Sequence, residues 1–212
     1  MSKLFKLEQQ LPLIAILRGV APKDVIRITE ILIEAGFTMI EIPLNSPDAL
    51  ISIKRLVERF GKDYFIGAGT VTTLKQAEEV IATGANLIVT PNFNEQVVQA
   101  GAQAGCATFP GIVTPTEAFS ALAAGATGIK IFPISALGMS GFKALMSVLP
   151  PNTLCFPVGG INPTIESLKP LMELGAKGFG LGASLYSPNM SDETIKENAQ
   201  LFVQAYQGSL AV

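Results

Sequence analysis

Three charged side chains stand in stretches that are otherwise apolar, and together they could do chemistry. Arg18 ends Ile14-Ala15-Ile16-Leu17-Arg18-Gly19, Glu41 interrupts Met39-Ile40-Glu41-Ile42-Pro43, and Lys130 interrupts Gly128-Ile129-Lys130-Ile131-Phe132-Pro133. A charge inside an apolar strand is costly unless it is paired or used. Alternation along each strand puts Lys130 on the face of Gly128 and Phe132, and Glu41 on the face of Met39. If those faces point inward, both groups enter one core. A lysine in an apolar cavity holds its proton less tightly and becomes a nucleophile toward carbonyls, an effect that a nearby Arg18 would increase. The carboxylate is then the proton carrier. A buried Lys130–Glu41 ion pair with no catalytic part is the alternative reading.

Glycine-rich segments close three other apolar runs. Gly67-Ala68-Gly69-Thr70 would let a substrate approach the backbone and offers the Thr70 hydroxyl. Gly159-Gly160 and Gly180-Leu181-Gly182-Ala183-Ser184 end the seventh and eighth runs. In barrels of alternating strands and helices, those two loops commonly bind phosphate through backbone N–H groups. Neither loop carries lysine or arginine, so a phosphate there would rest on amides, Ser184 and helix dipoles. Ordinary turns are the plainer reading of these segments.

The elements that must position these groups follow a strand–helix rhythm. Eight short runs read as strands: Leu13–Arg18, Thr38–Pro43, Tyr64–Thr70, Leu87–Pro91, Ala107–Gly111, Gly128–Pro133, Leu154–Gly159 and Gly178–Gly182. Each is nearly continuous in apolar residues, as a parallel strand covered on both faces should be. Between them lie helix-like stretches with start signals: Pro22 before Lys23–Ala35, Ser46-Pro47-Asp48, Thr72-Thr73 before Leu74–Thr83, Asn94 before Glu95–Ala104, Thr114-Pro115-Thr116-Glu117, and Asn162-Pro163-Thr164. These read as N-caps with proline in the first turn. Glycines near the helix ends, such as Gly36, Gly105 and Gly175, mark the stops. Eight even units point to a (β/α)8 TIM barrel, α/β in class, as one domain over residues 1–212 and near the lower size limit of that fold. A doubly wound open sheet is the rival, but no helix-opening Gly-x-Gly-x-x-Gly follows the first strand.

Composition narrows the chemistry. The 212 residues include no histidine, which excludes Ser-His-Asp and Cys-His arrangements and any metal site built on imidazole. Only 15% of residues are charged, against roughly 25% in soluble domains, which points to surface covered in an oligomer. A net charge of −2 without a basic stripe argues against nucleic acid. Cys106 and Cys155 lie in separate apolar runs and read as buried free thiols. The stretch Met1–Gln10 has no apolar signal core and no run is long enough to span a membrane, so a cytoplasmic protein is expected.

With these residues in place, the sequence resembles the short class I aldolases of 2-keto-3-deoxy-6-phosphosugar acids, the KDPG/KHG aldolase family. The resemblance runs through essentially the whole chain. It is carried by Glu41-Ile42-Pro43-Leu44, Gly67-Ala68-Gly69-Thr70-Val71, Lys130-Ile131-Phe132-Pro133 and Gly159-Gly160-Ile161. Leu17-Arg18-Gly19, Asn45-Ser46-Pro47 and Phe156-Pro157-Val158-Gly159-Gly160 look like the branch that acts on the galactonate epimer. The phosphogluconate branch typically has arginine where Asn45 stands and threonine where Val158 stands.

The resemblance implies a Schiff base on Lys130, with Glu41 as proton carrier and no metal or other cofactor. It implies that Arg18 and Thr70 hold the carboxylate, that the amides of Gly160, Gly182 and Ala183 hold the 6-phosphate, and that Val158 touches the substrate. The family usually has serine directly after the strand-eight glycine. Here Ala183 stands there and Ser184 follows. The implied products are pyruvate and D-glyceraldehyde 3-phosphate, and the implied assembly is a homotrimer. Three other readings stay open: the gluconate epimer or 4-hydroxy-2-oxoglutarate as substrate, a phosphosugar isomerase or epimerase, and a non-catalytic phosphosugar-binding barrel.

Overall fold

The apolar runs fold as short parallel strands, and the amphipathic stretches between them fold as helices. The computed structural model describes residues 10–210. Its elements are, in order, β1 (Leu13–Ile16), α1 (Val25–Glu34), β2 (Met39–Pro43), α2 (Ala49–Phe60), β3 (Phe65–Gly69), α3 (Leu74–Ala82), β4 (Leu87–Val89), α4 (Glu95–Gln103), β5 (Ala107–Phe109), β6 (Gly111–Ile112), α5 (Pro115–Ala123), β7 (Ile129–Ile131), α6 (Ile134–Met146), β8 (Cys155–Pro157), α7 (Ile165–Glu173), β9 (Phe179–Leu181) and α8 (Asp192–Leu210). Residues 1–9 of the stretch expected to lack a signal core lie outside the described residues. Among the described residues, no helix is long and apolar enough to cross a membrane.

Parallel pairing runs β5-β4-β3-β2-β1-β9 in one sheet and β6-β7-β8 in the other. Two links close the ring. β5 and β6 are halves of one run, and a bridge from Val158 to Gly180 joins the end of β8 to β9. The result is a (β/α)8 barrel rather than an open doubly wound sheet. The fifth run was expected as one strand, Ala107–Gly111, and is instead split at Pro110. Proline has no N–H for the ladder, and its carbonyl accepts the Lys130 N–H at 2.9 Å.

Strand alternation sorts the core into two layers. Leu13, Ala15, Ile40, Ile42, Ile66, Ala68, Ile129 and Ile131 pack outward under the helices. Ile14, Met39, Phe65, Leu87, Val89, Ala107, Phe109 and Phe156 form a separate inner cluster. The Phe109 and Phe156 rings meet there with centroids 4.8 Å apart. Both cysteines are buried and free, and burial pushes their thiols up to about 11 for Cys106 and about 12 for Cys155.

Several helix starts use the expected caps. Thr73 and Thr114 form reciprocal capping boxes with Gln76 and Glu117, and Asn94 and Thr164 accept from the first turn. Proline in the first turn occurs only at Pro115 among the expected starts. Pro22, Pro47 and Pro163 lie outside their helices. Asp24 and Asp48 cap without a side-chain hydrogen bond, and the hydroxyl of Ser46 is engaged elsewhere, as described below.

Gly67 and Gly36 separate two reasons for glycine. A Cβ on Gly67 would strike the carbonyl oxygen of Leu87 in the neighbouring strand, which cannot swing away. Gly36 has open space around it but a φ of +105°. Gly67→Ala is therefore expected to lose about 3 kcal/mol of stability, and Gly36→Ala about 1–2 kcal/mol. Urea unfolding of the two variants checks that order, and equal losses would contradict it.

Candidate active site

Glu41 and Lys130 reach the barrel interior from opposite parts of the ring. On β2, Glu41 is level with Ile16 of β1 and Gly67 of β3. On β7, Lys130 is level with Gly111 of β6 and Phe156 of β8. Their exposures are 2% and 6%. No contact ion pair joins them. Among the described residues the ion pairs are Arg27 with Asp24 and Asp192, Arg59 with Glu30, and Lys75 with Glu79. The Oε2 atom of Glu41 is buried without a hydrogen-bond partner. Such an orphan is uncommon in a folded chain and marks a place where another group belongs.

Burial moves both groups toward neutrality. It pushes the Glu41 carboxyl from 4.5 up to about 7, partly opposed by the charges of Lys130 and Arg18. Burial also lowers the proton affinity of Lys130, with Arg18 acting in the same direction and Glu41 against it. The Lys130 Nζ lies 4.6 Å from the centroid of the Phe132 ring, two residues along on the same face. The ring face attracts a cation and restricts where the amine can point. Burial thus narrows the gap between the two proton affinities, raising that of the carboxyl and lowering that of the amine.

A cavity of about 820 Å³ opens at the C-terminal ends of the strands, within the size range of small-molecule sites. Arg18, Lys130, Val158, Gly160, Gly182, Ala183 and Ser184 line it, as do Phe132 and Tyr186. Glu41 and Thr70 are not among its lining residues. Around Gly182 and Gly160 a Cβ would meet nothing within 4 Å, so their backbones face open space. Val158 packs against Gly180, where a Cβ would come within 2.6 Å of Val158 Cγ2. This gives the cavity an apolar wall near Lys130. Another cavity, about 580 Å³, lies at the opposite end of the barrel among Met39, Leu154, Phe156, Lys177 and Tyr206. It holds neither Glu41 nor Lys130.

The segment Gly67-Ala68-Gly69 was expected to let a substrate near the backbone, and the structure gives its two glycines another reason. Gly67 clears the Leu87 carbonyl, and a Cβ on Gly69 would collide with both carboxylate oxygens of Glu41. Thr70 takes a left-handed φ of 58°, a strained conformation for a β-branched residue. Sequence reasoning also missed Phe132 as the partner of the amine, although the alternation already placed it on the face of Lys130. Arg18 is exposed, and its Nη1 donates to Asn45 Oδ1 at 2.5 Å. Among the described residues, no group of three or more His, Cys, Asp or Glu side chains could hold a metal ion.

A closed parallel barrel with a low-affinity amine, a high-affinity carboxyl and a cavity over its strand ends is an enzyme scaffold, and the comparisons make it a carbon–carbon lyase. Residues 5–199 match the KDPG and KHG aldolase model, and the chain belongs to that family. It is 44% identical to the 2-dehydro-3-deoxy-6-phosphogalactonate aldolase of Escherichia coli (strain K12), covering 94% of this chain and 97% of that one. It is 45% identical to the probable 2-dehydro-3-deoxy-6-phosphogalactonate aldolase of Rhizobium meliloti (strain 1021), over 92% and 91% of the two chains. The solved structure described as native KDPGal superposes with a TM-score of 0.92 at 43% identity, covering 95% of this chain and 97% of that one.

The raised Glu41 carboxyl has a consequence for stability. Below pH 4.5 it is protonated whether the chain is folded or not. Between 4.5 and about 7 the unfolded chain releases the proton and the folded chain keeps it. The contribution of the protonated group is therefore lost as pH rises through about 7. Glu41→Gln is expected to be more stable than the parent at pH 8, by up to about 3 kcal/mol, and no more stable at pH 4. Urea unfolding at the two pH values measures this, and a gain that is the same at both would refute it.

Proposed function

We propose that this chain is a class I aldolase that cleaves 2-dehydro-3-deoxy-6-phospho-D-galactonate to pyruvate and D-glyceraldehyde 3-phosphate. The observation that carries the reading is the Lys130 amine, buried and weakened as a base on the wall of an 820 Å³ cavity, with the buried Glu41 carboxyl acting on it electrostatically. The names of the two relatives at 44–45% identity support the substrate.

In this reading the Lys130 nitrogen adds to the keto carbon, C2, and loss of water gives an iminium. Breaking the C3–C4 bond sends its electron pair into the iminium and leaves an enamine. Glu41, through a water, takes the C4 hydroxyl proton as the aldehyde forms. It then returns a proton to C3, and hydrolysis frees pyruvate and the amine. A carboxyl titrating at about 7 suits both directions of that transfer. Arg18 and Thr70 hold the carboxylate. The amides of Gly160, Gly182 and Ala183, with Ser184 at their edge, hold the phosphate. Val158 puts an apolar wall where a hydroxyl would offer a hydrogen bond, and so bears on which C4 epimer is accepted. The bond-breaking electrons go to the iminium, so this mechanism calls on no metal or other cofactor.

The whole chain, 1–212, is read as one domain acting in the cytoplasm, with neither membrane nor nucleic acid as a partner. Three copies are proposed to assemble. Support comes from the apolar residues left exposed on the helical surface, Ile51, Phe119, Met139, Val148 and Ile165.

Incubation with pyruvate and borohydride, followed by digestion, is expected to add mass to the peptide containing Lys130. Lys130→Met is expected to abolish both labelling and cleavage without unfolding the barrel. A labelled peptide elsewhere, or cleavage by the variant, would overturn the assignment. The galactonate epimer is expected to turn over faster than the gluconate epimer, and the reverse order would reassign the substrate. Sedimentation equilibrium is expected to give three times the chain mass of 22.3 kDa. A monomer or dimer would remove the trimer.

A further inference from the structure

The loops after β1 and β2 are tied together at two points. Arg18 Nη1 donates to Asn45 Oδ1 at 2.5 Å, and the Gly19 N–H donates to Ser46 Oγ at 2.9 Å. The second tie is the firm one, because Ser46 is buried. Gly19 itself has little freedom. Its φ is +83°, and Pro188 Cγ would lie 2.9 Å from a Cβ there. The backbone that carries Arg18 is thus pinned from both sides, and Asn45 stands next to one of the pins.

The nature of the Arg18 partner matters more than its distance. Arg27 on the barrel's outer surface is paired with two carboxylates, Asp24 and Asp192. Among the described residues Arg18 has no carboxylate within ion-pair distance, and its side-chain partner is a neutral amide. A carboxylate at position 45 would hold the guanidinium equally well but would use up its charge. An amide oxygen orients the fork and leaves the charge free. Arg18 lines the same cavity as Lys130, whereas Asn45 does not. A free cation there, beside an amine whose proton affinity it lowers, is suited to receive an anion.

We propose that Asn45, anchored by Ser46, is the positioning residue that aims the Arg18 guanidinium at the carboxylate of the keto acid while leaving its charge uncompensated. This rests on the reading of Arg18 as the carboxylate-holding group. Asn45 acts through Arg18 and does not touch the substrate. Its effect belongs to the pyruvate end of the reaction and not to the phosphorylated aldehyde.

The experiment uses pyruvate as the probe, in two assays. One is the pyruvate concentration that half-saturates borohydride labelling of Lys130. The other is the pair of KM values, for pyruvate and for glyceraldehyde 3-phosphate, in the condensation direction. Asn45→Ala is expected to raise both pyruvate values about tenfold, the size of one charge-assisted hydrogen bond, with kcat and the aldehyde KM unchanged. Asn45→Asp is expected to raise them further, because its carboxylate competes with pyruvate for Arg18. In an Arg18→Ala background, Asn45→Ala is expected to add nothing. If Arg18→Ala weakens pyruvate but Asn45→Ala matches the parent, the positioning proposal falls and the carboxylate reading stands. If Arg18→Ala leaves pyruvate unaffected, the carboxylate reading falls and takes the proposal with it. An Asn45→Ala effect that persists without Arg18, or that moves kcat and both KM values together, would also overturn the proposal.

Discussion

The structure turns on keeping one carboxyl and one amine in the dry interior of a barrel without letting them neutralise each other in direct contact. Each group alone would resist burial, and a contact pair would lock the proton in place. Held apart, with Glu41 lacking a hydrogen-bond partner on one oxygen, they stay responsive to a third group between them. The architecture follows from that. Strands covered on both faces wall off the interior, the Phe109–Phe156 contact fills part of it, and Phe132 lies against the amine. Among the described residues, Glu41 and Lys130 are the two buried side chains that carry a charge; the other buried polar groups, such as Asn86 and Thr108, are neutral.

Much of this was legible in the sequence, because the signals were local. A charge inside a β-branched run is visible without any fold, and period-two alternation says which neighbours share its face. Glu41 and Lys130 were found that way, and the eight-unit count led to the barrel. What escaped depends on neighbours distant in sequence. The role of Gly69 exists only because β2 and β3 are adjacent and Glu41 leans across. The break at Pro110 could have been anticipated, since proline cannot donate to a ladder. Its carbonyl holding the Lys130 amide could not, because that needs the register of the next strand. Likewise Ser46 read as a helix start, but its hydroxyl ties down a loop 27 positions earlier in the chain.

The two ends of the cavity differ in kind. Its charged end draws cations from side chains, Lys130 in a strand and Arg18 at a strand end. The rest of its lining, including Gly160, Gly182 and Ala183, carries no charged side chain. Side-chain charges are strong but mobile, and beside Arg18 two hydrogen bonds tie the loops together. Backbone groups are fixed by the fold itself, and around Gly160 and Gly182 there is open space. A substrate with a carboxylate at one end and a phosphate at the other would meet two recognition strategies within one barrel mouth.

Gly67 and Gly69 are two residues apart and a Cβ at either would collide with a neighbour, but the neighbours differ in kind. The obstacle at 67 is a carbonyl of the barrel wall, present in any descendant that keeps this strand register. The obstacle at 69 is the carboxyl end of Glu41. A lineage that abandoned the chemistry and let position 41 shrink would find 69 free to drift, while 67 stayed glycine. Loss of function on this scaffold would thus leave a readable trace in that one triplet, with a glycine retained at its first position and released at its third.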